Sequence, residues 1–326
     1  MNLVSSLNAV TIDVEEHFQV QNFENYVRRA DWGSHPSRVV ANTRRILRLL
    51  ANHGVHGTFF VLGWVADHQP ALVEEIAAQG HEVATHGYFH ELIYRQTPQE
   101  FAQDVRRSLD SIEVACGIRP VGYRAPCFSN TERSLWAVDV LKDLGLQYSS
   151  SVFPLVAHDR YGLRGASRFA NRWPNGLWEF PVSTLRVAGQ NWPVAGGGYF
   201  RLYPQWVTRQ AIRRLNTEGH PAVVYVHPWE LDPGQPRMPG LPALARFRHY
   251  VNLDKTESRL DGLLGEFAFG PMREAFALEL ATGREQSRDR AEKAVSPEGA
   301  LSHPEAVGSR GSRLSPKVGL PSRGQV

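Results

Sequence analysis

Sulfur is scarce in this chain: 326 residues include two cysteines and three methionines. Cys116 and Cys127 are too few for a disulfide framework, and Cys116 falls in a helical pattern, so two reduced thiols are expected. Long apolar runs are missing as well. No stretch approaches the ~20 residues of a membrane span. The opening MNLVSSLNAVTID has neither a basic leader nor a sustained apolar run, so a cytoplasmic, unprocessed chain with no membrane span is expected. An excess of one charge is also absent. The formal net charge is +3, and from Thr282 onward eight basic residues face five acidic ones, which places the whole excess there. The remainder is neutral and offers no basic stripe to a nucleic acid. After Leu280 there is no Phe, Trp or Tyr, and Ser, Pro, Gly, Arg and Glu dominate, so residues 281–326 are expected to be a disordered tail.

What is present suits a sizeable core: 42% of residues are hydrophobic and 10% aromatic. Short β-rich runs alternate with amphipathic ones in the order NAVTIDV, VVANTRRILRLLANHG, HGTFFVLG, ALVEEIAAQG and HEVATHG. The helical pieces repeat apolar residues at i, i+3 and i+4 and end at Gly54 and Gly80, where left-handed caps are expected. The pattern continues through a helix capped by Thr97, the strand VGYRAP, the helix TERSLWAVDVLKDLG and the strand QYSSSV. Repeated βα units imply an α/β fold with a parallel sheet, open or closed into a barrel. From Phe153 to Gly198 long loops are expected around one strand, LWEFPVS, before a helix over residues 203–219 and the strand AVVYVHP. Residues 232–280 read as an extension in which a Pro-rich crossing leads to one amphipathic helix packed back on the sheet.

Strand alternation puts Asp13 and Glu15 on one face of TIDVEEHF, at the carboxyl end where βα folds collect reactive groups. His86 and His90 in THGYFHE can converge on one ion, and imidazole with carboxylate suits zinc or a similar divalent ion. HEVATH, from His81, has one residue too many for the two rings of a metalloprotease helix. Arg124, stiffened by Pro126, can hold a carboxylate ionised. Cys127 is assigned to packing. His227 ends an apolar strand and can donate a proton near neutral pH. Trp192, Tyr199 and Trp229 are candidate platforms for sugar rings. A glycosidase would need a carboxylate pair such as Glu179 and Glu230, which leaves His86, His90 and Arg124 unused.

In order, TIDVEEH, THGYFH, RAPCF and VVYVHP resemble the motifs of the NodB-like polysaccharide deacetylases, carbohydrate esterase family four, over roughly residues 10–228. The resemblance implies a distorted (β/α) barrel over residues 1–231 and a hydrolase that removes N-acetyl groups from an amino-sugar polymer or its lipid-linked precursor. It implies Asp13 as base, Glu15, His86 and His90 as ligands of a divalent metal such as zinc, Arg124 as orienting residue and His227 as acid. The departure is Val14, which stands where the family has its second aspartate, so Glu15 is taken as the third ligand with Glu16 as its substitute. DVEEHF, HPWELDP and ARFRHYVNL look most similar to the deacetylases of exosortase-linked exopolysaccharide clusters. Two other readings stay open: hydrolysis of another C–N bond, as in allantoinase-like relatives, and a non-catalytic carbohydrate-binding protein. Oligomeric state is not legible.

Overall fold

The computed structural model describes residues 6–155 and 161–282, and there the alternating pattern forms a curled sheet wrapped by helices. The first half runs β1 (Asn8–Val14), α1 (Val39–Asn52), β2 (Thr58–Val61), α2 (Gly63–His68), α3 (Pro70–Ala78), β3 (Glu82–Thr85), α4 (Pro98–Cys116), β4 (Gly122–Tyr123), α5 (Ala137–Asp143) and β5 (Tyr148–Ser149). The second half runs β6 (Asn171–Arg172), β7 (Trp178–Glu179), β8 (Thr184–Val187), β9 (Gln190–Pro193), α6 (Gly197–Leu202), α7 (Gln205–Thr217), β10 (Val223–Val226), α8 (Ala243–Tyr250), α9 (Leu253–Leu264), β11 (Phe269–Gly270) and α10 (Met272–Ala275). The strand order is β10-β1-β2-β3-β4-β5-β7-β6, with β11 also pairing to β1. Among the described residues of this sheet only the β6–β7 pair is antiparallel.

The sheet is a curled half-barrel whose last gap is bridged by chain rather than by a strand. Val223 accepts at its carbonyl from Ser183 N–H (3.3 Å), and Tyr225 N–H donates to Ala195 O (2.9 Å). Gly196 makes this approach possible, because a Cβ there would lie 2.2 Å from the Tyr225 ring. Every second residue of β1 faces the helices: Val10, Ile12 and Val14 share an apolar cluster with Ile46 and Leu50 of α1 and Val73 and Ile76 of α3. Each fully buried side chain of this kind contributes about 1.5–3 kcal/mol. Thr11 and Asp13 are left to the concave side by the same alternation.

Several local expectations need correction. VGYRAP and LWEFPVS pair as strands over only two residues each, Gly122–Tyr123 and Trp178–Glu179. The region expected as long loops contains the antiparallel β8–β9 hairpin. The single helix expected after Asp232 is two, α8 and α9, parted at Asn252 in a left-handed conformation (φ 51°). β11 then brings this segment into the sheet against Asn8 and Ala9. At α4 a full capping box joins Thr97 and Glu100, an arrangement whose cap contributes about 1 kcal/mol. Gly54 and Gly80 do take positive φ, 62° and 84°. The tail expected to be disordered lies outside the described residues, apart from its first two. Among the described residues no helix is long and apolar enough to cross a membrane.

Candidate active site

At the carboxyl end of β1, Glu15 reaches His86 and His90, and the ligand atoms of the three lie within 4.8 Å of one another. His86 follows β3, where its N–H bonds to Val61 O (2.9 Å), and its Nδ1 sits 2.8 Å from Arg124 O. With that nitrogen donating to the carbonyl, Nε2 carries the lone pair, as in many metal-binding histidines. Burial holds His86 down to about 4, so the ring is neutral and ready to ligate. His90 is brought round by a tight turn: Gly87 (φ 77°) and His90 itself (φ 55°) are left-handed. Asp104 anchors the turn by accepting from Tyr88 N–H (2.8 Å) and Phe89 N–H (3.2 Å).

Glu15 is 2% exposed, and its Oε1 accepts from Trp229 Nε1 at 2.9 Å. Its Oε2 lies 2.9 Å from His90 Nε2, yet accepts no hydrogen bond of proper geometry. A buried, orphaned carboxylate oxygen between two imidazoles is the donor set a divalent first-row ion satisfies, so these residues fit such an ion. Burial alone would raise the Glu15 carboxyl, but His90, His227 and His86 bring it down to about 2. Glu16 turns elsewhere. Its carboxylate accepts from Arg38 N–H (3.0 Å) and Val39 N–H (3.2 Å), at the start of α1. Val14 is buried in the helix-facing cluster, so the β1 alternation itself keeps it out of the site.

Beside this cluster, Arg124 is fully buried and donates Nη1 to Asp13 Oδ1 and to Thr11 Oγ1, both at 2.7 Å. Ser150 holds the rest of the guanidinium through its carbonyl (3.2 Å) and hydroxyl (3.0 Å). Asp13 Oδ2 is 3.8 Å from His227 Nε2, which is also 3.8 Å from Glu15 Oε1. Glu230 Oε2 accepts from His227 N–H and meets His227 Nδ1, each at 2.9 Å. Burial opposes a charge on His227, but Glu230, then Glu15 and Asp13, push it up to about 9. Glu230 is itself paired with buried Arg201 (2.6 Å).

Asp13, Glu15, His86, His90, Arg201, His227 and Glu230 line one groove of about 410 Å3 together with Tyr161, Tyr199, Phe128 and Phe247. Tyr199 stands in its wall, its hydroxyl 3.0 Å from that of Tyr161. One of the expected sugar platforms is corrected. Trp192 sits on β9, half exposed and outside the groove. Trp229 lines the groove but is 7% exposed, stacked on His249 (4.5 Å) and lying against His227 (5.2 Å), so little of its ring is open to a sugar. Cys127, expected only to pack, lines the groove in a left-handed conformation (φ 51°). Glu179 is not in the groove; it accepts the N–H groups of Ser151 and Val152, which shape the loop after β5. The roles of Glu230 toward His227, and of Arg201 and Ser150, were not expected from the sequence.

Residues 31–149 match the family model described as polysaccharide deacetylase. This segment is similar to that family. Residues 150–277 match a domain of unknown function, DUF3473. A chitooligosaccharide deacetylase of Bradyrhizobium sp. is 36% identical over 100 residues, which cover 30% of this chain and 43% of that protein. A peptidoglycan-N-acetylglucosamine deacetylase of Bacillus cereus is 31% identical over 98 residues, 30% of this chain and 36% of that protein. The chain thus spans about two fifths of the length of the curated relatives it matches. A solved structure from Mycobacterium smegmatis, described as an inferred polysaccharide deacetylase, covers 93% of this chain and 96% of its own, with a TM-score of 0.55 and 21% identity. That likeness establishes the fold. His86, His90 and Arg124 lie inside the deacetylase match, whereas Asp13 and Glu15 precede it and His227 falls in the other segment.

Proposed function

We propose that this protein is a metal-dependent hydrolase that removes N-acetyl groups from an amino-sugar polymer or its lipid-linked precursor. The observation that carries the reading is one groove in which Glu15, His86 and His90 converge beside Asp13 and His227. The relatives named for chitooligosaccharides and for peptidoglycan N-acetylglucosamine support the substrate class. The resemblance of DVEEHF and HPWELDP to exopolysaccharide-linked deacetylases supports an exopolysaccharide as the polymer.

Glu15, His86 and His90 would hold the ion, for which zinc suits the two imidazoles and one carboxylate. Once bound, it supplies Lewis acidity toward both water and the acetamide carbonyl. Asp13, its Oδ1 held by Arg124, takes the proton of the attacking water on its second oxygen. Burial keeps that carboxylate's partners few, and the guanidinium keeps it aimed. Across the groove, His227 carries a proton on Nε2, with Nδ1 committed to Glu230, and gives it to the departing sugar amine. Acetate and a free amine result.

The test is acetate release from N-acetylglucosamine oligomers by purified protein, with and without chelator, beside small cyclic amides and a measurement of bound metal. Chelator-sensitive release from the oligomers is expected. A protein that holds no ion at pH 7, or that hydrolyses only the cyclic amides, would overturn the reading.

A further inference from the structure

A buried arginine ties the proton-donating arm to a segment far along the chain. Arg201, at the end of α6, is 2% exposed and donates Nε to Glu230 Oε1 at 2.6 Å. Its Nη1 donates to the carbonyls of His249 (2.8 Å) and Val251 (2.9 Å), and its Nη2 to that of Arg248 (3.1 Å). Glu230, fully buried, gives its other oxygen to His227, as described above. We propose that Arg201 is a positioning residue that, by joining Glu230 to the backbone of residues 248–251, makes this late segment part of the support that aims His227 at the leaving amine. The inference rests on the deacetylase reading above.

The chemistry explains why an arginine stands here. The last carbonyls of α8 have no partner within their own helix, and a planar guanidinium offers five donors in a rigid fork. Two of these carbonyls, that of Val251 just beyond the helix and one carboxylate occupy the fork, so a shift of Glu230 pulls on the end of α8. The same segment also leans on the metal-binding side, because His249 stacks on Trp229, whose Nε1 holds Glu15. Arg201, His227, Glu230 and residues 248–251 all fall within the match to the domain of unknown function. On this inference that region has a chemical role, since it completes the site that the deacetylase segment begins.

A support that acts through proton delivery matters only when the leaving group needs a proton. Amide hydrolysis consumes one water and must place a proton on the departing nitrogen, whereas 4-nitrophenyl acetate loses its phenolate without one. Arg201→Met is therefore assayed on an N-acetylglucosamine oligomer and on this ester. The expected result on the oligomer is a fall in kcat of about 30-fold or more with KM changed by less than about twofold. On the ester kcat should fall less than about threefold, and bound metal should be unchanged. An equal loss on both substrates, a loss in KM alone, or undiminished activity on the oligomer would overturn the proposal. Should Arg201→Met fail to fold, Arg201→Lys, which keeps a charge toward Glu230 but cannot reach three carbonyls at once, is read by the same criteria. For a wild type inactive on the ester, Arg201→Ala is used, and recovery of oligomer kcat with added guanidinium is expected; no recovery overturns the proposal. Wild-type protein that binds metal yet releases no acetate from the oligomer would defeat the deacetylase reading itself, and with it this inference.

Discussion

The proposed metal-binding side of the groove and the proposed proton-donating side are built in opposite ways. Glu15, His86 and His90 come from the ends of β1 and β3, the strands on either side of β2, and depend on strand alternation and one tight turn. His227 instead is set by a relay of Glu230, Arg201 and the carbonyls of residues 248–251, drawn from a turn and two helices. The first side is rigid because the sheet is rigid. The second is rigid only while several separate pieces stay docked, so it is the side where a remote substitution can change chemistry without touching the groove.

That contrast can be broken experimentally, and the largest effect belongs to the metal side. His90→Ala should lose bound metal and bring acetate release down to background, as measured by elemental analysis and product assay; a variant that still binds stoichiometric ion would unseat the assignment. Next comes Asp13→Asn, for which kcat should drop by about a thousandfold while metal content stays that of wild type. If metal were lost as well, Asp13 would belong to the ligand set instead. Trp229→Phe removes the N–H that holds Glu15 Oε1. It should weaken metal affinity about tenfold, read by competition with a chromogenic chelator.

A pH effect should be smaller and confined to the other side. His227 is held up to about 9, because Glu230, Glu15 and Asp13 outweigh the cost of burial. Its folded value exceeds its unfolded value near 6.5, so its contribution to stability is complete below pH 6.5 and is lost as pH rises through 9. Denaturant melts of chelated protein should show this decline; a profile flat across that window counts against the relay. The smallest effect is expected at Trp192, which stands outside the groove. Trp192→Ala should change kcat/KM by less than about twofold, with stability shifted by about 0.5 kcal/mol or less.

The sequence discloses the two sides unequally, for physical reasons. Asp13 and Glu15 alternate with apolar residues on one strand, and His86 and His90 share one short turn, so their convergence follows from local geometry. Choosing between Glu15 and Glu16 needed the structure, since only there does the second glutamate turn to the start of α1. Arg201 gives no such signal. Its partners lie 29 and 47 to 50 residues away, and three of them are backbone carbonyls, which every residue possesses. Trp192 and Trp229 were legible as aromatic but not as to which face is open, because stacking on His249 is a tertiary event. The short pairing of β4 and β7 is likewise set by their neighbours, not by β propensity, which weakly constrains strand length.

The pairing of β1 with both β10 and β11 has a consequence for the order in which the molecule can be made. The strand that bears Asp13 and precedes Glu15 is translated well before its partners Val223–Val226 and Phe269–Gly270, which emerge more than two hundred residues later. Contacts so distant in sequence form slowly, after local ones. A nascent chain halted before Gly270 therefore exposes an unpaired stretch of its first strand, and no early portion of the polypeptide holds a finished groove.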